Sequence, residues 1–149
     1  MEKKQYKDNM NKTEQIIKRS VDFVIAACCL IFFSPLAIAC AIAIRLEDGL
    51  PVIYRQERIG LHGKPFFIYK FRSMKIDAEK DGPDLLEIKG DPRLTKVGRF
   101  LRMHHLDELP QLWNVFKGDM AFVGPRPERK FYIDQIMEHD PRYTYLYQI

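Results

Sequence analysis

Hydrophobic and polar positions divide the chain into one long apolar segment and a remainder in which short apolar runs alternate with turn residues. The apolar segment, Phe23–Ile44, carries no charged residue over its 22 positions. A straight α-helix of that length rises roughly 33 Å, which is enough to cross the hydrocarbon core of a bilayer. The pattern therefore predicts a membrane helix.

The dipeptide Ser34-Pro35 lies near the middle of this segment, and lysines and arginines flank the segment on both sides. Proline removes a backbone hydrogen bond, so in lipid the freed carbonyl needs a local partner, and the Ser34 hydroxyl is the nearest candidate. Basic flanks favour the cytoplasm. Two topologies stay open on this pattern. One is a re-entrant helix that is broken at Ser34-Pro35 and returns to the leaflet it entered; the other is a kinked helix that spans the bilayer.

Beyond Gly49 the pattern changes to short elements. Two β-rich runs, Pro51–Gln56 and Phe66–Phe71, are separated by Gly60–Gly63 and predict a β-hairpin. Helices are predicted at Ser73–Lys80, at Thr95–His104 with Thr95 as its N-cap, at Leu106–Phe116 with Gly118 as its end, and at Glu128–Glu138. The predicted fold class is α+β and mostly helical, with a membrane helix, a hairpin and interfacial helices around one site.

The same pattern predicts three regions along the chain. Residues 1–12 form a flexible basic N-terminus, residues 13–47 form the membrane helix with Thr13 as a candidate cap, and residues 48–149 form a cytoplasmic or interfacial domain that carries the chemistry. The cysteines Cys28, Cys29 and Cys40 all lie in the apolar segment without metal-ligand spacing, so we interpret them as packing residues.

The net charge of +4 indicates an anionic partner, such as lipid headgroups or a nucleotide. Acidic residues nearly balance the basic ones, and no nucleic-acid-binding motif is present, so a nucleic acid is not the expected partner. The sequence allows a homo-oligomer without predicting one.

The adjacent acids Asp107 and Glu108 are the main candidates for chemistry. Neighbouring residues on a helix point about 100° apart, so these two carboxylates cannot act as one clamp and need separate roles. In one interpretation Asp107 caps a helix and Glu108 favours its dipole. In the other, one carboxylate is a nucleophile and the other binds Mg²⁺. The adjacent residues His104 and His105 cannot face one metal from a regular helix.

Three basic side chains are candidates for phosphate contact: Lys70, Arg72 and Arg126. The planar guanidinium of arginine suits phosphate oxygens, and lysine supplies a compact positive charge. The alternative is that all three are ordinary surface cations.

Several short motifs, taken in order, resemble the bacterial sugar transferase family, the monotopic phosphoglycosyl transferases that act on polyprenyl phosphate. The motifs that carry this resemblance are Arg19 and Asp22 before the apolar run, Ser34-Pro35 within it, Arg55–Gly60, Lys64–Phe66, Lys70–Met74, Asp91–Thr95, Val97–Arg102, Leu106–Gln111, Asn114-Val115, Lys117–Met120 and Val123–Glu128.

The resemblance implies a re-entrant helix in one leaflet of the bacterial inner (plasma) membrane, with both flanks at the cytoplasmic face. It implies transfer of a sugar-1-phosphate from a UDP-sugar to undecaprenyl phosphate, with release of UMP, as a first step of glycan assembly. In that family pattern Asp107 is the nucleophile that forms a covalent phosphosugar intermediate, and Glu108 helps to hold Mg²⁺. The same pattern places Lys70, Arg72 and Arg126 near the phosphates.

Two departures from the family pattern bear on this expectation. His104-His105 stands where members often have Thr-Ser, and members continue beyond this length into a Pro-Gly-Ile-Thr-Gly segment. The chain is therefore expected to be a C-terminally truncated form. A second hypothesis follows, in which the chain is an inactive paralogue that acts as a membrane-anchored interaction protein. The donor sugar cannot be read from these residues.

Overall fold

A computed structural model describes residues 10–78 and 90–141. Predictions for residues 1–9, 79–89 and 142–149 lie outside the described residues. The helices are α1 (Lys12–Asp48), α2 (Lys96–Met103), α3 (Gln111–Lys117) and α4 (Lys130–His139). The strands are β1 (Ile53–Ile59) and β2 (Pro65–Phe71), and two short 3₁₀ segments lie at Leu61–Gly63 and Leu106–Glu108. The α+β class, mostly helical, is confirmed.

Helix α1 begins one residue earlier than predicted, and Asn11 rather than Thr13 is its N-cap. The backbone N–H of Asn11 donates to the Glu14 carboxylate at 2.8 Å, as in a capping box. The prediction of Thr13 as the cap was wrong because Asn11 and Glu14 together satisfy the start of the helix two residues upstream.

The helix also passes without interruption through Ser34-Pro35, so the predicted break into two helices is not present in the secondary structure. Pro35 has no N–H to give to the carbonyl of Ile31, one turn earlier. The Ser34 hydroxyl donates to that same carbonyl at 2.8 Å, which confirms Ser34 as the local partner. With this acceptor satisfied, α1 tolerates the proline and continues to Asp48.

Both ends of α1 contact the rest of the protein, whereas its middle is exposed. Near the N-terminal end the Arg19 guanidinium donates to the carbonyls of Val115 and Phe116 at the end of α3. At the other end the Glu47 carboxylate accepts from the first backbone N–H groups of α2, both at 2.8 Å. Between them Phe32 is 77% exposed. This helix is long and apolar enough to cross a membrane, and only 11% of its most apolar stretch of 18 residues is buried.

Strands β1 and β2 form the predicted hairpin, paired antiparallel from Ile53↔Phe71 to Ile59↔Pro65. The connection turns through His62 and Gly63, both at positive φ. The second strand carries a residue of the buried cluster, which consists of Cys40 and Ile44 from α1, Phe71 from β2 and Leu101 from α2. The position of Cys40 in this cluster confirms its interpretation as a packing residue.

Helix α2 is capped by Thr95, whose hydroxyl accepts from the N–H of Gly98 at 2.8 Å, as predicted. The helix predicted to start at Ser73 is absent from the described residues of that segment. Instead Met74 pairs with Leu94 in an isolated bridge, and the N–H of Lys75 donates to Arg93 at 2.9 Å. This pairing takes up the backbone groups that a helix would need.

Gly98 lets this paired segment approach α2 closely. A Cβ added at Gly98 would lie 1.9 Å from the carbonyl oxygen of Ser73. That contact is far inside any ordinary van der Waals distance, so only glycine fits at this position without a shift of the backbone. Gly118 ends α3 in the left-handed conformation, as predicted.

Candidate active site

Asp107 and Glu108 lie in the 3₁₀ segment Leu106–Glu108, between α2 and α3. The prediction of one helix from Leu106 to Phe116 was wrong, and so was the interpretation in which Asp107 is its cap. Pro110 has no N–H for the carbonyl of Leu106, so that carbonyl accepts from Leu109 instead, at 3.2 Å. The chain therefore runs through a tight turn before α3 begins, and the Asp107 side chain caps no helix.

Asp107 is buried, with 7% of its surface exposed. Burial is the largest influence on its carboxyl group and raises its pKa above the ordinary value, and the negative charge of Glu108 raises it further. The positive charges of Lys70 and Arg102 act in the opposite direction and lower it. Asp107 is thus a desolvated carboxylate held between one acid and two cations.

The Glu108 carboxylate is the point at which two of the predicted phosphate contacts meet. The Arg126 guanidinium lies 2.7 Å from Oε1 of Glu108, and the Lys70 ammonium lies 3.4 Å from the same oxygen. The side chain of Glu108 is 33% exposed, so it faces solvent as well as these cations. Residues from three separate parts of the sequence, positions 70, 108 and 126, therefore converge on one group.

Arg126 is placed by the hairpin. The N–H of Ile59, at the end of β1, donates to the carbonyl of Glu128 at 2.9 Å, and the Arg58 guanidinium lies 3.1 Å from the Glu128 carboxylate. Burial lowers the pKa of Arg58, and the nearby charge of Glu128 raises it. These contacts fix the segment Gly124–Glu128 beside the 3₁₀ turn.

Lys70 is placed by a buried side-chain clamp that the sequence did not predict. Asn114 on α3 is fully buried, accepts from the N–H of Tyr69 at 3.0 Å and donates to the carbonyl of Phe67 at 2.7 Å. Its amide thus makes two hydrogen bonds to the backbone of β2 of the kind that a neighbouring strand would make. Because the next residue along β2 is Lys70, this clamp sets the position of its ammonium relative to Glu108.

Arg72 does not join this group. Strand β2 ends at Phe71, and the next side chain turns to the end of α1, where the Arg72 guanidinium donates to the carbonyls of Asp48 at 2.9 Å and Gly49 at 3.0 Å. These are the acceptors that a helix end leaves without intrahelical partners. The structure therefore brings together Lys70, Glu108 and Arg126, and it places Arg72 at the C-terminal end of α1.

Arg102 and Ser73 belong to the site, although sequence reasoning did not single them out. The Arg102 side chain donates to the Ser73 hydroxyl at 2.8 Å, and its charge lowers the pKa of Asp107. The sequence indicates a role for Arg102 only through its spacing, since it lies five residues before Asp107, on the last turn of α2. Only the reversal at His105, which has a φ of 55°, brings the two together.

A metal at this site would depend on few protein ligands. Among residues 10–78 and 90–141, no group of three or more His, Cys, Asp or Glu residues could hold a metal ion. His104 packs against the Phe100 ring at 4.4 Å and takes no part in such a group. The partly exposed Glu108 carboxylate nevertheless fits Mg²⁺, which is usually bound by one or two carboxylates and completed by substrate phosphate oxygens.

A cavity of about 450 Å³ adjoins the site and has Arg126 in its wall. Its wall is formed by the start of α1, by the tip of the hairpin and by the segment from Gly118 to Glu128. Lys18 of α1 donates to the carbonyl of Val123 in that wall at 2.8 Å. A bulky organic ligand with a charged end therefore has space beside Arg126.

Comparison with known proteins identifies the family of this chain. The family model described as bacterial sugar transferase matches residues 13–149, and the chain belongs to this family. It is 48% identical over 128 residues to a Bacillus subtilis protein provisionally named an undecaprenyl-phosphate N-acetylgalactosaminyl 1-phosphate transferase. It is 46% identical over 132 residues to the UDP-glucose:undecaprenyl-phosphate glucose-1-phosphate transferase of Caulobacter vibrioides.

A third relative is the UDP-N-acetylgalactosamine-undecaprenyl-phosphate N-acetylgalactosaminephosphotransferase of Aeromonas hydrophila, which is 44% identical over 129 residues. The three matches cover 86%, 88% and 87% of this chain, in the order given. They cover 71%, 49% and 30% of the relatives' own lengths. The chain thus corresponds to most of the first relative and to less than half of the other two.

Proposed function

We propose that this chain carries the catalytic part of an enzyme that transfers a sugar-1-phosphate from a UDP-sugar to undecaprenyl phosphate at the cytoplasmic face of the bacterial plasma membrane. The observation that carries the proposal is the convergence of Lys70 and Arg126 on Glu108, next to the buried Asp107. Relatives with up to 48% identity bear this activity in their names. Those names include two different sugars, so the proposal does not extend to the donor sugar.

In the proposed reaction a carboxylate oxygen of Asp107 attacks the phosphorus that bears the sugar. The bond from that phosphorus to the bridging oxygen breaks, and UMP leaves with the electron pair. An oxygen of undecaprenyl phosphate then attacks the same phosphorus and releases the carboxylate. The desolvation of Asp107 supports this role, because a carboxylate with few water contacts is a better nucleophile.

Lys70 and Arg126 stabilise the diphosphate and the negative charge that collects on the leaving UMP. In the absence of substrate their positive charge is balanced by Glu108. When phosphate oxygens take over these contacts, the Glu108 carboxylate becomes available to a cation. Glu108, with Asp107 beside it, would hold Mg²⁺, which when bound neutralises phosphate charge.

We also propose that α1 is re-entrant through a bend at Pro35, without a break in the helix, and that both of its ends lie at the cytoplasmic surface. The residues Arg19 and Glu47 are 28 positions apart, about 42 Å along a straight helix, and both contact the same polar unit of the protein. A spanning helix would separate these contacts by a hydrocarbon core of about 30 Å. The exposed apolar middle of α1, around Ser34-Pro35, is the part that would enter the leaflet.

Exposed apolar side chains on the short helices support contact with the same membrane surface. Phe100 and Met103 on α2 and Trp113 on α3 are all exposed. The Trp113 ring stacks on Phe116, which in turn stacks on Phe23 of α1, at centroid distances of 5.4 and 4.6 Å. This aromatic row is continuous with the proposed membrane helix and is typical of the bilayer interface.

The activity is tested with a panel of labelled UDP-sugars, Mg²⁺ and no acceptor. The purified protein is expected to release UMP in an amount equal to the enzyme and to retain one labelled sugar phosphate, whereas the Asp107→Asn variant should do neither. The matched control is Asp134→Asn on α4, a surface acid paired with Lys130, which should behave as the wild type. Undiminished adduct formation by Asp107→Asn would rule out the nucleophile assignment.

The topology is tested with single cysteines at Lys12 and Leu50, in a background in which the native cysteines are replaced. A membrane-impermeant maleimide should label both positions in inside-out vesicles and neither in right-side-out vesicles. Labelling of the two positions from opposite sides would establish a spanning helix.

A further inference from the structure

A second, smaller cavity has Lys70 in its wall and shares no lining residue with the cavity beside Arg126. It has a volume of about 170 Å³ and is lined by Pro51, Tyr54, Ala78 and the run from Lys70 to Ile76. Three of its lining residues are cations, and the lining residues in the described part of the chain include no acid. Two of these cations have carboxylate partners, Glu108 beside Lys70 and Asp48 beside Arg72. Asp77 lies between two of the lining residues, Ile76 and Ala78.

The Arg72 side chain in this wall is only 7% exposed and is incompletely satisfied. One of its terminal nitrogens donates to the end of α1, whereas Nε and the other terminal nitrogen have no hydrogen-bond partner in the described part of the chain. Buried donors of a charged group are costly to leave unpaired, and their usual partners are oxyanions or ordered water. A guanidinium in this state, next to two lysines, matches the requirements of a phosphate group.

The position of the cavity indicates where such a phosphate would come from. Pro51 in its wall follows the end of α1 by three residues, and Leu50 between them is exposed. In the proposed topology this end of α1 lies at the membrane surface. A phosphate attached to a lipid chain could therefore enter from the bilayer, whereas a soluble nucleotide has the larger cavity beside Arg126.

We propose that the cavity lined by Lys70, Arg72 and Lys75 binds the phosphate monoester of the lipid acceptor, as a subsite separate from the Glu108–Arg126 side that faces the donor. The inference rests on the proposed function. Lys70 is common to both sides, since it lines the cavity and lies 3.4 Å from Glu108. An acceptor phosphate held there would share Lys70 with the group around Glu108, and the positive charge of Lys70 also acts on the neighbouring Asp107.

A binding experiment tests the subsite without turnover. The purified protein is placed in nanodiscs that contain undecaprenyl phosphate or undecaprenol, and the rate of acetylation of each lysine by an amine reagent is measured by mass spectrometry. Undecaprenyl phosphate should slow acetylation of Lys75 several-fold, and undecaprenol should not. Lys130 on α4, whose side chain is exposed, is the internal control and should react at the same rate in both. Equal protection by undecaprenol, or by inorganic phosphate alone, would contradict a site for a lipid-linked phosphate.

A kinetic experiment separates this inference from the proposed function. Lys75→Gln and Arg72→Lys should raise the KM for undecaprenyl phosphate about tenfold, the effect of losing one charge-assisted hydrogen bond. The rate of UMP release without acceptor is measured on the same samples, and the charge-matched control Lys130→Gln should leave both quantities unchanged. An increase in the KM for the UDP-sugar instead would overturn the subsite. Absence of UMP release by the wild type would refute the proposed function, while the acetylation result would still decide the subsite.

Discussion

Replacement of Gly98 by alanine is expected to destabilise the protein, although the same change in an isolated helix would stabilise it. The new methyl group would lie 1.9 Å from the Ser73 carbonyl oxygen, and contacts of this kind below 3.0 Å essentially do not occur. Helix α2 and the backbone at Ser73 must therefore separate by about 1.1 Å. Ser73 accepts from the Thr95 N–H through that carbonyl at 3.1 Å, and its hydroxyl accepts from Arg102. The separation would weaken both hydrogen bonds.

The expected size follows from opposing contributions. Alanine gains about 1 kcal/mol over glycine in a helix interior. Overpacking costs about 1–3 kcal/mol, and each weakened hydrogen bond costs about 1 kcal/mol. The net destabilisation is therefore about 2–4 kcal/mol, or a decrease in Tm of about 4–16 °C for a chain of this size.

Thermal unfolding in detergent can be followed by the fluorescence of Trp113, the only tryptophan of the chain. The control is Arg99→Ala, an exposed position one residue further along α2, which should change stability by less than about 0.5 kcal/mol. Because Arg102 moves with α2, Gly98→Ala should also lower the rate of UMP release. A Tm equal to or above that of the wild type would refute the assignment of Gly98 as a close-approach residue.

Three further outcomes are expected from the same thermal assay. Asn114→Ala should destabilise by about 2–4 kcal/mol, because two buried backbone groups of β2 lose their partners; a change below about 1 kcal/mol would contradict the clamp. His105→Val should be less stable than His105→Gly by about 1–2 kcal/mol, because position 105 has a φ of 55°. Hydrogen bonds from the Arg93 side chain and backbone lower the pKa of Asp91 to about 2, so its stabilising effect is present above pH 3.8 and is lost as the pH falls through about 2. The stability difference between wild type and Asp91→Asn should close over that range, and a difference independent of pH would refute this account.

Features that depend on neighbouring residues were predictable from the sequence. The hairpin, the Thr95 cap, the end of α3 at Gly118 and the bond from Ser34 to Ile31 each involve groups a few positions apart or strands joined by a short turn. The family resemblance also named Glu108, Lys70 and Arg126, which the structure brings together, and Arg72, which it places elsewhere. For these elements local chemistry leaves few alternatives.

Features that depend on distant contacts were not predictable. The clamp of Asn114 on Tyr69 joins positions 45 residues apart, and the Arg19 contact to Val115 joins positions 96 residues apart. The position of the Arg72 side chain depends on where the C-terminal end of α1 lies, and no local sequence pattern predicts that position. The turn at Asp107 was mispredicted because Pro110 has no N–H for the carbonyl of Leu106, so α3 begins only after Pro110, which is its N-cap.

The hydrogen bond from Ser34 to Ile31 has a consequence for the order of events during synthesis. Its two groups are three residues apart within α1, so it forms as soon as that helix forms. The contacts that hold α1 to the rest of the protein use residues made much later, such as Val115. At about 5–20 residues per second, the 81 residues from Ser34 to Val115 take about 4–16 s. During this interval the carbonyl of Ile31 already has a hydrogen-bond donor within the helix. The nascent helix can therefore enter the bilayer before the residues that contact its ends are synthesised.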